Sequence, residues 1–221
     1  MVALVTGASS GIGRDIAREL AKRNYNIIAV ARNEDELNKL KLELEEQYKI
    51  SVEVIAMDLT DREGCINLHK NVKEKYGTID ILVNDAGFGT CGKFVDTDLE
   101  KEIKMIDTNI VALHILTKLF LQDMCKENKG RILNVASIAG FAPGPLMAAY
   151  YSSKAYVLRL TESIYEELKK QKSNVTISVL CPGPVATNFN NVANVKFSIK
   201  ALSSEYVAKY AIDKTLKGKL V

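Results

Sequence analysis

Apolar runs of strand length alternate with segments of helical period along almost the whole chain. The strand-length runs are Val2–Thr6, Asn26–Ala31, Ser51–Ala56, Ile79–Asn84, Gly130–Ala136 and Val175–Cys181, rich in Val, Ile and Leu. They show little polar alternation, which predicts strands covered on both faces. Helical periodicity marks Ile12–Arg23, Glu34–Tyr48, Asp61–Tyr76, Leu99–Asn128, Tyr150–Gln171 and Ser203–Lys217. The second carries Leu37, Leu40, Leu44 and Tyr48 at spacings of three and four, a single apolar stripe. The fourth is long enough that an interruption is expected near Asp107–Asn109. Strict alternation of this kind predicts one doubly wound α/β domain over residues 1–221, a parallel sheet with helices on both faces. After the last helix, Gly218-Lys219-Leu220-Val221 reads as the turn into a further strand that has barely begun. The last strand of the sheet is therefore expected to be missing from the sequence.

Composition narrows the classes. The chain has 221 residues, 47% hydrophobic and 26% charged, with a formal charge of +3. Its basic residues are interspersed with acidic ones, so no nucleic-acid footprint is expected. Cys65, Cys91, Cys125 and Cys181 are widely spaced, which predicts free thiols in a reducing compartment. His69 and His114 belong to no metal-ligand motif, and no metal is expected. No run approaches the roughly 20 apolar residues of a membrane span, and Met1–Gly7 lacks the features of a signal peptide. A cytoplasmic address is expected.

Two local patterns carry chemistry. Thr6-Gly7-Ala8-Ser9-Ser10-Gly11-Ile12-Gly13 joins the first strand to the first helix. Glycines there let backbone approach a pyrophosphate seated at the positive end of the helix. Tyr150 and Lys154 are four apart on one helix and so share a face. An ammonium beside a phenol favours the phenolate, which makes an otherwise weak acid useful near neutral pH. Tyr151 lacks such a partner, since Ala155 follows it by four. Ser137 ends the fifth strand, at the carboxyl edge where open α/β sheets bind ligands.

With these motifs the chain resembles the short-chain dehydrogenase/reductase family. The glycine turn matches its TGxxxGxG, Tyr150–Lys154 its YxxxK, and Cys181-Pro182-Gly183-Pro184-Val185-Ala186-Thr187 its PG motif. Asp58-Leu59 matches the pair that contacts adenine, although a helix cap is the competing reading of Asp58. Asn84-Asp85-Ala86-Gly87 matches the family's NNAG with Asp85 replacing the second Asn, which leaves any contact by Asp85 in doubt.

The resemblance implies hydride transfer between a nicotinamide cofactor and a carbonyl or alcohol. Tyr150 is then the general acid/base, Ser137 holds the substrate oxygen, and Lys154 lowers the tyrosine pKa and binds the ribose. Asn109 is implied to hold a water that relays protons to Lys154. Cofactor contacts are implied for Gly7, Ser9, Ser10, Gly11, Ile12, Gly13, Asp58, Leu59, Asn84, Ala86, Gly87, Tyr150, Lys154, Pro182 and Gly183. Val185 and Thr187 are implied to meet the carboxamide. Ala31 stands where NAD-binding members carry an acid, and Arg32 follows it, so NADP (NADPH) is expected, with Ser9 adding a hydrogen bond.

Asn188–Leu202 is expected to form the substrate loop. The style is similar to 3-oxoacyl-acyl-carrier-protein reductases, which makes a ketone or 3-oxoacyl group the expected substrate. A non-enzymatic cofactor sensor and a nucleotide-sugar epimerase or dehydratase are the alternatives. A homodimer or homotetramer is implied, with Leu113, Leu116, Phe120, Leu158 and Ile164 offering apolar surface.

Overall fold

The computed structural model describes residues 1–187 and 201–220. Strand β1 (Val2–Thr6) leads through the glycine turn into α1 (Gly11–Ala21), followed by β2 (Asn26–Ala31), α2 (Glu34–Tyr48), β3 (Val52–Ala56), α3 (Arg62–Tyr76) and β4 (Ile81–Asn84). Next come α4 (Leu99–Ile106), a π-helical turn (Asp107–Ala112), α5 (Leu113–Lys126) and β5 (Arg131–Val135). A 3-10 turn (Ile138–Phe141), α6 (Ala148–Lys170), β6 (Thr176–Leu180) and α7 (Ser204–Leu216) complete the order.

The six strands pair in parallel in the order β3-β2-β1-β4-β5-β6. The order reverses between β1 and β4, so the turns after these two strands open onto one crevice. Side chains alternate across the sheet. Ala3, Val5, Ile27, Ala29 and Val83 pack with α1, α2 and α7, while Leu4, Ile28, Val30, Leu82 and Ile132 pack with α3, α5 and the end of α6.

The strand β3 departs from the expected two-sided burial. It is an edge strand, buried at Val52 and only partly covered along Glu53, Val54 and Ile55. The helix ends follow ordinary capping. Asn33, Asp61, Asp98 and Ser203 each accept a hydrogen bond from the amide three residues on, at the starts of α2, α3, α4 and α7.

A buried polar chain crosses the core where β4 and β5 meet α5 and α6. Asn84 Nδ2 donates to Thr117 Oγ1 at 3.0 Å and to Asn134 Oδ1 at 2.9 Å. Asn134 Nδ2 donates in turn to Thr161 Oγ1 at 3.0 Å. In a medium where an unpaired polar group is costly, this chain ties both helices to both strands.

The tail Lys219-Leu220 runs beside β6, where the Val179 amide donates to the Leu220 carbonyl at 2.6 Å and Ser178 Oγ to the Lys219 carbonyl at 2.5 Å. No helix among the described residues is long and apolar enough to cross a membrane.

The five apolar residues expected to form a subunit contact do not offer one. Leu113, Leu116, Phe120 and Leu158 are buried in the chain's own core, and Ile164 packs against it. On α5 and α6 the stripe facing the sheet outcompetes a second apolar stripe, so pairing of copies would need other side chains.

Candidate active site

The glycine turn is built for close approach. Gly7 has φ +72°, and a Cβ there would meet the Ala86 amide nitrogen at 3.0 Å. Gly11 has φ +55° and lies against Thr187, whose Cγ2 would be 3.1 Å from an added Cβ. That contact brings the loop after β6 onto the turn after β1. Gly13 is the tightest, with the Gly7 carbonyl oxygen at 2.5 Å and Asp85 Oδ2 at 2.6 Å from an added Cβ. Ser10 is the N-cap of α1 and gives it no side-chain hydrogen bond. The helix start is therefore left for a ligand's oxygens, as a pyrophosphate requires. Gly13→Ala is expected to cost about 1–3 kcal/mol through overpacking and to weaken nicotinamide-cofactor binding. A melting temperature and a cofactor titration check both.

The turn after β4 closes over the same space. Thr6 Oγ1 accepts from the amides of Asp85 and Ala86 at 3.1 and 3.2 Å. Asp85, whose contacts the sequence left in doubt, turns its carboxyl beneath the glycine turn and accepts from the Gly13 amide. Burial pushes this carboxyl up to about 7, against the opposing pull of Lys154 and the Gly13 amide.

Asn109 sits in the π-helical turn, fully buried. Its Oδ1 accepts from the Phe88 amide at 3.1 Å, and its Nδ2 donates to the Phe88 carbonyl at 2.9 Å and Ser153 Oγ at 3.1 Å. It therefore pins the Gly87-Phe88 backbone beside α6. An added Cβ at Gly87 would lie 2.9 Å from Asn109 Oδ1 and 3.5 Å from Lys154 Nζ. The Asn109 side chain is thus spent on backbone and on Ser153.

Opposite stands the catalytic candidate set. Ser137 follows β5, accepts from the Ala139 amide at 3.1 Å, and hydrogen-bonds the Tyr150 side chain. The Ile138 amide donates to the Pro182 carbonyl at 3.0 Å, joining this turn to the loop after β6. Tyr150 lies in the first turn of α6, and one turn on the Lys154 ammonium donates to the Val135 carbonyl at 2.9 Å.

In the protein by itself burial dominates both the Tyr150 phenol and the Lys154 ammonium. Burial pushes the Tyr150 phenol up to about 12, opposed by the Ser137 hydrogen bond, with Tyr151 and Asp85 raising it further. Burial likewise brings Lys154 down to about 8, partly offset by Asp85. Lys154 Nζ is 5.9 Å from the Tyr150 ring centroid and donates to the Val135 carbonyl.

The remaining candidates lie at the ends of β2, β3 and β6. Ala31 is buried at the end of β2 and Arg32 is exposed beyond it, in no ion pair among the described residues. Arg14 spans Ser9 and Glu36, donating to the Ser9 carbonyl and to Glu36 Oε2 at 2.7 Å. Asp58 accepts from the Thr60 amide at 3.0 Å, while the α3 cap is Asp61, so Asp58 is not the helix cap. Leu59 is buried. Asp58 also borders an open cavity of about 410 Å³ between β3 and α3, whose lining includes neither Ser137 nor Tyr150. After β6, Pro184–Ala186 pairs with Leu202, through Leu202 N to Pro184 O at 3.0 Å and Ala186 N to Leu202 O at 2.8 Å. The expected substrate loop lies outside the described residues except for its last two, Ala201 and Leu202.

Comparison with known proteins decides the family. The short chain dehydrogenase model matches residues 1–196. The chain belongs to the short-chain dehydrogenase family. It is 37% identical over 187 residues to an uncharacterized oxidoreductase of Staphylococcus epidermidis, covering 84% of this chain and 78% of the relative. It is 35% identical over 199 residues to a very-long-chain 3-oxoacyl-CoA reductase of Anas platyrhynchos, covering 88% of this chain and 63% of that one. A solved short-chain dehydrogenase from Sphingobium yanoikuyae, in complex with NADPH, superposes with a TM-score of 0.92 at 28% identity, covering 100% of this chain and 86% of that one. This short-chain dehydrogenase is accordingly an oxidoreductase of one Rossmann-like α/β domain.

Proposed function

We propose that this short-chain dehydrogenase is an NADP-dependent reductase of ketones or 3-oxoacyl groups. The observation that carries the reading is the Ser137–Tyr150 hydrogen bond, one helical turn from Lys154. It lies at the strand edge facing the glycine turn. A nicotinamide bound there supplies or takes the hydride. In reduction, Tyr150 gives its phenolic proton to the carbonyl oxygen that Ser137 holds, and the product is the alcohol. Lys154 presents its ammonium to the ribose and to the phenol, and Asn109 keeps the Gly87-Phe88 backbone clear of both. Gly7, Ser9, Ser10, Gly11, Ile12 and Gly13 hold the pyrophosphate. Asp58, Leu59, Asn84, Ala86 and Gly87 border the adenosine side, and Pro182, Gly183, Val185 and Thr187 the nicotinamide. Arg32 takes the 2′-phosphate.

Three exposed apolar side chains between Ser137 and Tyr150, namely Ile138, Phe141 and Leu146, support an apolar group beside the reacting carbonyl. The very-long-chain 3-oxoacyl-CoA reductase among the relatives supports the same class. The deciding measurement follows NADPH absorbance at 340 nm over a panel of aliphatic ketones and 3-oxoacyl thioesters. Turnover of at least one is expected. Tight NADPH binding with no turnover of any would favour a cofactor sensor instead.

A further inference from the structure

We propose that Arg14 and Glu36 form a clasp that positions Ser9 and Arg32 around the 2′-phosphate of NADP and thereby sets the preference for NADP over NAD. The inference rests on the reading of Arg32 as the partner of that phosphate and adds two positioning residues behind it.

The clasp joins three elements through one guanidinium. Arg14, the residue after Gly13 on α1, donates to the Ser9 carbonyl through Nε at 3.0 Å and through Nη2. The same Nη2 donates to Glu36 Oε2 at 2.7 Å. Ser9 lies in the turn after β1, and Glu36 in the first turn of α2. The Glu36 amide donates at 3.1 Å to Oδ1 of Asn33, the helix cap that directly follows Arg32. Glu36 thus grips the corner after β2 by its amide and Arg14 by its carboxylate. A backbone tie runs beside the clasp, from the Ala8 amide to the Val30 carbonyl at 3.3 Å. The corners carrying Ser9 and Arg32 are therefore held to each other as well as to the sheet.

The residue types fit this task. A guanidinium is a rigid fork of five donors and can serve a carbonyl and a carboxylate together, whereas an ammonium is a point charge on a flexible stem. The Arg14 and Glu36 side chains are 29% and 31% exposed. An ion pair so open to water contributes little to stability; what it fixes is geometry. A phosphate reaching Arg32 then meets a corner that is already ordered. Lys39 donates to the other oxygen of Glu36 at 2.6 Å. With a cation on each oxygen, the carboxylate offers little repulsion to a phosphate.

A neighbouring pair supplies the control. One turn along α1, Arg18 donates to both carboxylate oxygens of Glu43 at 2.7 Å and to Asp15 Oδ1 at 2.7 Å. It also ties α1 to α2, but among the described residues its side-chain hydrogen bonds stay on the two helices.

The test is the dissociation constant of NADPH and of NADH, measured by fluorescence titration without substrate. Arg14→Met is expected to weaken NADPH about five- to tenfold and NADH by about twofold at most, the scale of ordering one mobile group on binding. Arg14→Lys keeps the charge but not the fork, and is expected to lie closer to Arg14→Met than to the parent. Arg18→Met is expected to leave the ratio of the two affinities unchanged. In an Arg32→Ser background the NADPH loss from Arg14→Met is expected to shrink to about twofold or less, because Arg14 acts through the corner that carries Arg32. Equal weakening of both cofactors by Arg14→Met overturns the clasp, as does a Lys variant close to the parent, a ratio moved by Arg18→Met, or losses that simply add. A parent that binds NADPH and NADH equally takes down the NADP reading and the clasp with it. A preference for NADPH that survives Arg14→Met intact takes down the clasp alone.

Discussion

Tyr150→Phe is expected to lower turnover by about 10²–10⁴-fold, the usual contribution of a positioned proton donor. NADPH affinity is expected to stay within threefold. The phenol is buried, and its hydroxyl contact is with Ser137. Removing the hydroxyl therefore deletes the proton donor while leaving the glycine turn and Lys154 in place. Steady-state kinetics beside a fluorescence titration of NADPH separate the two effects. A Phe variant turning over within tenfold of the parent would remove Tyr150 from the acid/base role. Burial raises the phenol in the protein alone, and the positive charge of a bound oxidised nicotinamide would oppose that rise. The reaction run from the alcohol side, which needs the phenolate, is expected to be the more sensitive to pH.

The second large effect concerns the choice of cofactor. Ala31→Asp with Arg32→Ser is expected to turn a preference for NADPH into one for NADH. The parent preference is expected to be about ten- to a hundredfold, since a charge-assisted contact is worth roughly 1.5–3 kcal/mol. Arg32 is exposed and outside the described ion pairs, whereas Arg14 and Arg18 are held by Glu36, Asp15 and Glu43. The acids that follow have other work. Glu36 binds Arg14 and Lys39, and Glu34, Asp35 and Glu36 occupy the first turn of α2, where negative charge complements the helix dipole. The ratio of kcat/KM for NADPH over NADH in parent and double variant is the test. Equal use of both cofactors by the parent would sink the role of Arg32.

Much of this architecture can be read from local pattern. The spans of β1, β2 and α2 coincide with their apolar runs, because each is bounded by strong signals, the glycine turn or a capping Asn33. The interruption between α4 and α5 is legible from Asp107 to Asn109, though its π-helical form is not. What local pattern misses depends on contacts distant in sequence. The edge position of β3 follows from strand order, not from its composition. Leu113, Leu116, Phe120 and Leu158 are apolar whether they face the sheet or a second copy, and only the packing of α5 and α6 on β4 and β5 decides between them. Asp85 finds its partners 72 residues earlier at Gly13 and on α6 at Lys154. Its sole trace in the sequence is a carboxylate where the family has an amide. The high phenol pKa depends on burial, which YxxxK spacing does not encode.

The π-helical turn has a consequence for how this enzyme tolerates change in length. Each residue of an α-helix turns the side chains by about 100°, and a π turn accommodates one residue more than the regular ladder. The rod from Leu99 to Lys126 is thus two helices out of phase, and Asp107–Ala112 absorbs the mismatch. Excising a single residue there would let the rod run straight, at little local cost in backbone hydrogen bonds. It would also rotate one half against the other by about a quarter of a turn. Either Asn109 would leave the Gly87-Phe88 backbone, or Leu116 and Phe120 would leave the core. The turn acts as a spacer that lets one rod serve two masters, and its length is more constrained than its sequence.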